Sequence, residues 1–132
     1  MAASIITGCG NSLTSIRSYK LTTVLDFTPF TKQGFLFTPE PYQGEYESIG
    51  MITVSISASG ERKRLRPGVY DWDWDLSQVQ SDSVLNYFFE KATALGADAV
   101  IQFSLTRSSI DFAGLQVPTT IASGFAIKRK RE

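Results

Sequence analysis

Asp71-Trp72-Asp73-Trp74-Asp75 is the run whose residue types and spacing come nearest to doing chemistry. Carboxylates at alternate positions offer the oxygens a calcium ion takes, and Asp82 stands eleven residues after Asp71, where a calcium loop places its last ligand. Such a loop also needs glycine at its sixth position, for a sharp turn, and an oxygen donor at its ninth. Leu76 and Val79 stand there instead. Asp71, Asp73 and Asp75 are therefore candidate metal ligands in an incomplete pattern. Strand geometry offers a simpler reading. Alternate side chains of an extended segment share a face, so Trp72 and Trp74 pack inward or onto a neighbour while the aspartates stay in water. Two tryptophans on one face can also stack on a sugar or a nucleobase. Asp75, close to a helix start, suits the positive end of the helix dipole.

The remaining residues exclude more chemistry than they offer. The chain has no histidine and one cysteine, Cys9. A disulfide within the chain is impossible. Zinc or heme ligation lacks its usual donors. Ser-His-Asp and Cys-His catalysis lack their base. No carboxylate pair stands out for hydrolysis. The expectation is a protein that is not an enzyme and uses no cofactor. Net charge is zero, so no overall field steers the molecule toward nucleic acid or anionic lipid. Charge is clustered instead. Arg62, Lys63, Arg64 and Arg66 form one basic patch, and Lys128, Arg129, Lys130 and Arg131 form another. Both read as solvated loop or tail charges. The first has no interleaved aromatic and the second is short, so nucleic acid is not the expected partner. In a ring, each patch would be repeated around the axis and gain by multivalency.

No stretch approaches the ~18 consecutive apolar residues of a membrane span. Ile6-Thr7-Gly8-Cys9 resembles a bacterial lipobox, which makes Cys9 a candidate lipidation site. A working signal also needs a basic region and an apolar stretch of about 7–15 residues, and Met1 to Ile6 supplies neither. The favoured reading is a small-residue tail with an incidental cysteine. The alternative is an envelope lipoprotein with a truncated signal, held at a membrane only through Cys9.

The elements that must position these groups follow from pattern. At 132 residues, 42% of them hydrophobic and 20% charged, the chain suits one globular unit. Residues 1–45 read as an N-terminal arm and an aromatic-rich extension, and residues 46–132 as an α+β domain. Phe27, Phe30, Phe35, Phe37 and Tyr42 crowd the extension, interleaved with Pro29, Pro39 and Pro41. So many aromatics pack against the main domain or another subunit. With Trp72 and Trp74 they are the candidate interaction residues. Short strands are expected at Lys20–Asp26 and Gly34–Phe37. Ile52, Val54 and Ile56 alternate with small polar residues, the period of a half-buried strand. A loop fills residues 60–78. A helix runs from Ser81 to Leu95, capped by Ser81 or Asp82, with Val84, Leu85, Phe88, Phe89, Ala92 and Leu95 on one stripe. Strands follow from Asp98, with Ile101, Phe103 and Leu105 on one face, and over Thr119–Ile127, with Ile121, Phe125 and Ile127 on one face. A loop joins them across residues 107–118. The product is a two-layer β-α-β-β unit: a three-stranded antiparallel sheet, one helix and an N-terminal extended arm.

Lys91-Ala-Thr-Ala-Leu-Gly-Ala-Asp-Ala-Val-Ile101 resembles the helix-to-strand junction of the YbjQ-like family, often labelled a heavy-metal-binding domain. Glu47–Val54 and Ser123–Lys128 are similar to that family's first and last strands, so the resemblance covers about residues 46–129. It implies a dodecin-like β-α-β-β subunit and a closed homo-oligomer, with a pentameric ring the family's habit. It implies no established reaction. The metal label transfers poorly, because histidine is absent and Cys9 lies outside the matching region. The expected function is a non-catalytic, ring-forming structural or interaction module that docks onto a larger cellular or viral assembly. A ligand- or metal-binding module is the alternative.

Overall fold

The computed structural model describes residues 15, 17, 18, 20 and 22–130. Cys9 and Arg131 lie outside them. A helical turn α1 (Thr28–Thr31) comes first, then strands β1 (Leu36–Phe37), β2 (Tyr46–Ser57), β3 (Ser59–Arg66) and β4 (Val69–Asp75). A 3-10 turn (Ser77–Val79) leads into helix α2 (Ser81–Ala94), followed by β5 (Ala99–Phe112) and β6 (Leu115–Arg129).

This order overturns the expected α+β class. The described residues are mainly β, with six strands in two sheets and one long helix. The main sheet is four-stranded and mixed, in the order β1-β5-β6-β2, rather than three-stranded and antiparallel. The extra strand is β1, which runs parallel to β5 with Leu36 beside Ala99 and Phe37 beside Val100. Two expected loops are hairpins. Residues 60–78 hold the β3–β4 ribbon, turned at Pro67-Gly68, where Gly68 takes φ 77°. Residues 107–118 continue β5 and β6 to a tight turn at Ala113 and Gly114, with φ 53° and 83°. Their polar composition hid the strands, because hydrophobic alternation marks only strands with a buried face. Described residues 20 and 22–26 form no strand.

Helix α2 forms where the apolar stripe demands it. Val84, Leu85, Phe88 and Ala92 are all buried against the sheet. Gly96, at φ 89°, closes the helix: Ala97 N–H donates to the Ala92 carbonyl (3.1 Å) and Gly96 N–H to that of Thr93 (3.0 Å). That double bond pattern needs a left-handed residue, which glycine adopts without steric cost. The other end departs from expectation. Gln80 is the capping residue and makes no side-chain cap bond. Ser81 is buried and accepts a hydrogen bond from the Arg107 guanidinium (3.0 Å).

The core is an aromatic nest around Phe37. Its ring lies 5.1 Å from Phe30, 5.0 Å from Phe35, 5.3 Å from Phe103 and 6.1 Å from Phe88. The extension thus packs on its own chain.

A bulge in β5 decides the faces. Ile101 pairs with Phe125 but Ser104 pairs with Ser123, so β5 carries one extra residue there. Gln102 absorbs it at φ 52°. The bulge flips side-chain parity. Ile101 therefore falls on the back of the sheet with Ala99 and Ile127, while Phe103 faces the helix. The expected grouping of Ile101 with Phe103 fails for that reason. On β6 the helix side carries Ala122 and Ala126, and Phe125 points outward. Gly124 sits where a Cβ would come within 2.5 Å of Val100 Cγ1.

Candidate functional site

Three surfaces can receive a partner, and each follows from how a strand ends or turns. The first is the free edge of β2. Among the described residues this strand has only β6 beside it, and its other side presents backbone groups that none of them pairs. From Gly50 to Ser57 it carries no charge and no proline. The opposite edge of the sheet is protected: β1 is two residues long and runs into Pro39 and Pro41. Native proteins blunt edges with short strands, prolines and charges. One edge of this sheet follows that rule and the other does not. Beside the open edge runs a groove of about 490 Å³ between Ile52, Val54, the α2 residues Tyr87 and Ala94, and Leu95 just past the helix. Leu95 is 56% exposed. Lys91 lies across the Tyr87 ring, 5.0 Å from its centre.

The second surface is the back of the sheet. Met51 and Phe125 are exposed there, over a hollow of about 360 Å³ floored by Ile101 and Ile127. Tyr42 and Tyr46 flank it, their rings 6.1 Å apart.

The third lies between the two hairpins. At Ala58 the chain leaves the sheet, and the β3–β4 ribbon diverges from the β5–β6 hairpin. Trp72 and Trp74 stack with centroids 5.5 Å apart and planes at 15°. Trp74 lies over Gly60, where a Cβ would come within 2.5 Å of the indole. Across the cleft stand Ile110, Phe112, Leu115 and Val117. The cleft encloses about 440 Å³.

Register places the sequence candidates on the two faces of the ribbon. Gly60, Arg62 and Arg64 pair with Trp74, Trp72 and Tyr70, so these residues share one face. Arg62 covers the Tyr70 ring at 4.2 Å. Glu61 and Lys63 pair with Asp73 and Asp71 and share the other face with Asp75. The sequence showed no aromatic within the basic run; cross-strand pairing supplies them.

Asp71, Asp73 and Asp75 do not converge. They are spaced along one face of a strand, about 6–7 Å per two residues. Asp73 is paired with Lys63 (2.6 Å), and Asp75 accepts the Ser77 N–H (3.0 Å). The described residues contain no group of three or more acidic, cysteine or histidine side chains able to hold a metal ion. Of the aromatic candidates, Phe30, Phe35 and Phe37 are buried in the chain's own core and Phe27 stacks on Phe37, whereas Tyr42 reaches the back surface. Sequence reading missed Ile110 and Phe112, because single apolar residues in polar stretches give no periodic signal, and it set Leu95 on the buried helix stripe, whereas Leu95 caps the helix end and is exposed.

Comparison with protein-family models and with curated proteins finds no match. Among solved structures, the chain is similar to a protein of unknown function of the DUF74 family from Pediococcus pentosaceus. The identity is 14%, the TM-score is 0.50, and the match covers 74% of this chain and all of that one. The likeness is one of fold.

Proposed function

We propose that the protein is a non-catalytic, self-assembling structural module whose subunits join along β2. The open, uncharged β2 edge carries this reading. The uncharged stretch 50–57, beyond the irregularity between Ser48 and Gly50 and with an apolar groove beside it, is an invitation to pairing unless a partner covers it. The resemblance of residues 46–129 to the YbjQ-like family, with its ring-forming habit, points the same way. Symmetry sets the stoichiometry. If β2 meets a different surface of the next subunit, the contact is head-to-tail and closes a ring where the rotation per subunit allows, with a pentamer the expected ring. If β2 meets β2, the contact is twofold and yields a dimer.

Native mass spectrometry on the full chain tests this. The expected result is one discrete multimer that becomes monomeric in the double variant Thr53→Lys, Leu95→Asp. Both positions are exposed, so the fold should survive, which circular dichroism checks. A monomeric wild type, or a multimer untouched by the double variant, defeats the proposal.

A further inference from the structure

We infer that the cleft between the two hairpins binds an extended acidic peptide with apolar side chains at alternate positions. The proposal does not depend on self-assembly through β2. Three independent observations support it.

The first is shape. Pairing of β2 with β6 ends at Ser57 and Thr119. Beyond that point Ala58 N–H donates to the Pro118 carbonyl (2.8 Å), and the chain departs into the ribbon. From Leu115 to Val117, β6 pairs with β5 on one side, and among the described residues no strand lies on its other side. Pro118 points its carbonyl to that side, so by alternation the Gln116 main chain does too, and an extended segment lying in the cleft can hydrogen-bond there.

The second is surface chemistry. Phe112 is 72% exposed at the hairpin tip, and Trp72 and Ile110 are 39% and 41% exposed. Together with Leu115 and Val117 they give an apolar lining with few polar groups, the usual make-up of a recognition groove. Aliphatic walls suit alternate apolar side chains of a peptide.

The third is charge. The ribbon face that bears Trp72 and Trp74 also bears Arg62 and Arg64 and no carboxylate. All four acids of the ribbon, Glu61, Asp71, Asp73 and Asp75, sit on the other face. A partner following the tryptophans meets guanidinium groups, which favour carboxylates in bidentate geometry. A nucleic-acid strand fits less well. It needs a continuous basic track, and here two arginines stand at one end with four carboxylates behind them.

Trp72 and Trp74 are the two tryptophans of the chain, so intrinsic tryptophan fluorescence reads this cleft alone. The experiment titrates the full chain with a ten-residue peptide alternating glutamate with leucine and phenylalanine. Parallel titrations use the same peptide with lysine for glutamate, and oligodeoxythymidine. The expected result is a saturable change with the acidic peptide, at least fivefold weaker in Arg62→Glu and in Phe112→Ser. Phe112 is outside the core, so Phe112→Ser should keep the wild-type melting temperature. No change with the acidic peptide, equal binding of the lysine peptide, or unaltered binding by both variants overturns the proposal. A saturable change with oligodeoxythymidine alone overturns it in favour of nucleic acid.

Discussion

The Arg129 guanidinium lies against the Asp98 carboxylate, with Nε 3.4 Å from Oδ1, and the two residues tie one end of the sheet together. Arg129 N–H donates to the same carboxylate (2.9 Å). Its Nη2 donates to the Asp98 carbonyl (3.1 Å) and the Gly34 carbonyl (2.7 Å). The start of β5, the end of β6 and the turn before β1 thus share one arginine. In the sequence Arg129 reads as part of a solvated basic tail. Its partners are 31 and 95 residues away in the chain, beyond any local pattern.

Removing that carboxylate should be felt. Asp98→Ala leaves the guanidinium half-buried without its anion, and side chains of 15% and 21% exposure are only partly screened by water. A loss of about 1–3 kcal/mol is expected in urea unfolding. Asp98→Asn keeps an oxygen for the Arg129 N–H and should lose less. Equal stability of all three proteins would remove Arg129–Asp98 from the account of what closes the sheet.

Phe37 should behave as a core residue of the whole fold. It is 4% exposed and touches rings from the extension, from α2 and from β5. Phe37→Ala should cost about 3–5 kcal/mol. For the same reason, a chain starting at residue 46 should lose cooperative thermal unfolding rather than yield a stable core. A sharp, reversible transition in that truncated chain would mean the aromatic nest is dispensable.

The hairpin turn offers a stabilising change. Ala113 sits at φ 53°, where its Cβ is crowded, and the next residue, Gly114, is already suited to its φ of 83°. Ala113→Gly should raise stability by about 0.5–1 kcal/mol, offset in part by glycine's greater freedom when unfolded. A lower melting temperature in this variant would show that the turn is not strained.

Stability should change little around neutral pH. Hydrogen bonds from the side chain and backbone of Ser77 hold the Asp75 carboxyl below its ordinary 3.8, and those of Thr28 do the same for Asp26. Such acids stabilise the fold above their unfolded value, and the benefit fades as pH falls through the folded one. Lys63 is held above its ordinary 10.5 by its hydrogen bond and charge pairing with Asp73. Its contribution is complete below the unfolded value and fades only as pH rises through the folded one. With no histidine in the chain, the melting temperature should be level from about pH 5.5 to 7 and fall below about pH 4. A step near pH 6.5 would point to a titrating group that these contacts do not include.

Much of the fold was legible where burial writes a period into the sequence. Helix α2 was readable because Val84, Leu85, Phe88 and Ala92 repeat at helical spacing and Gly96 follows. The Ile52–Ile56 alternation marked β2. The ribbon was half readable: Trp72 and Trp74 alternate with aspartates as in a strand, but its partner strand, Ser59–Arg66, is mostly charged and has no apolar period to display. The cleft was half legible: Trp72 and Trp74 drew notice, but Phe112 and Ile110 did not.

The sequence by itself determined what is excluded and what must be buried. Lack of histidine removed whole classes of catalysis, and the density of phenylalanine before residue 46 required a host surface. Tertiary structure alone decided which surface that was, and on which face each strand residue lies. A single bulge at Gln102 reversed the parity of β5, and one parallel strand at Leu36–Phe37 changed the sheet from three members to four. The bulge leaves no local mark, and the strand expected over residues 34–37 carries no sign of the partner it pairs with. Both are set by which strands meet across tens of residues, and that choice depends on packing volume and register rather than on the composition of any one segment.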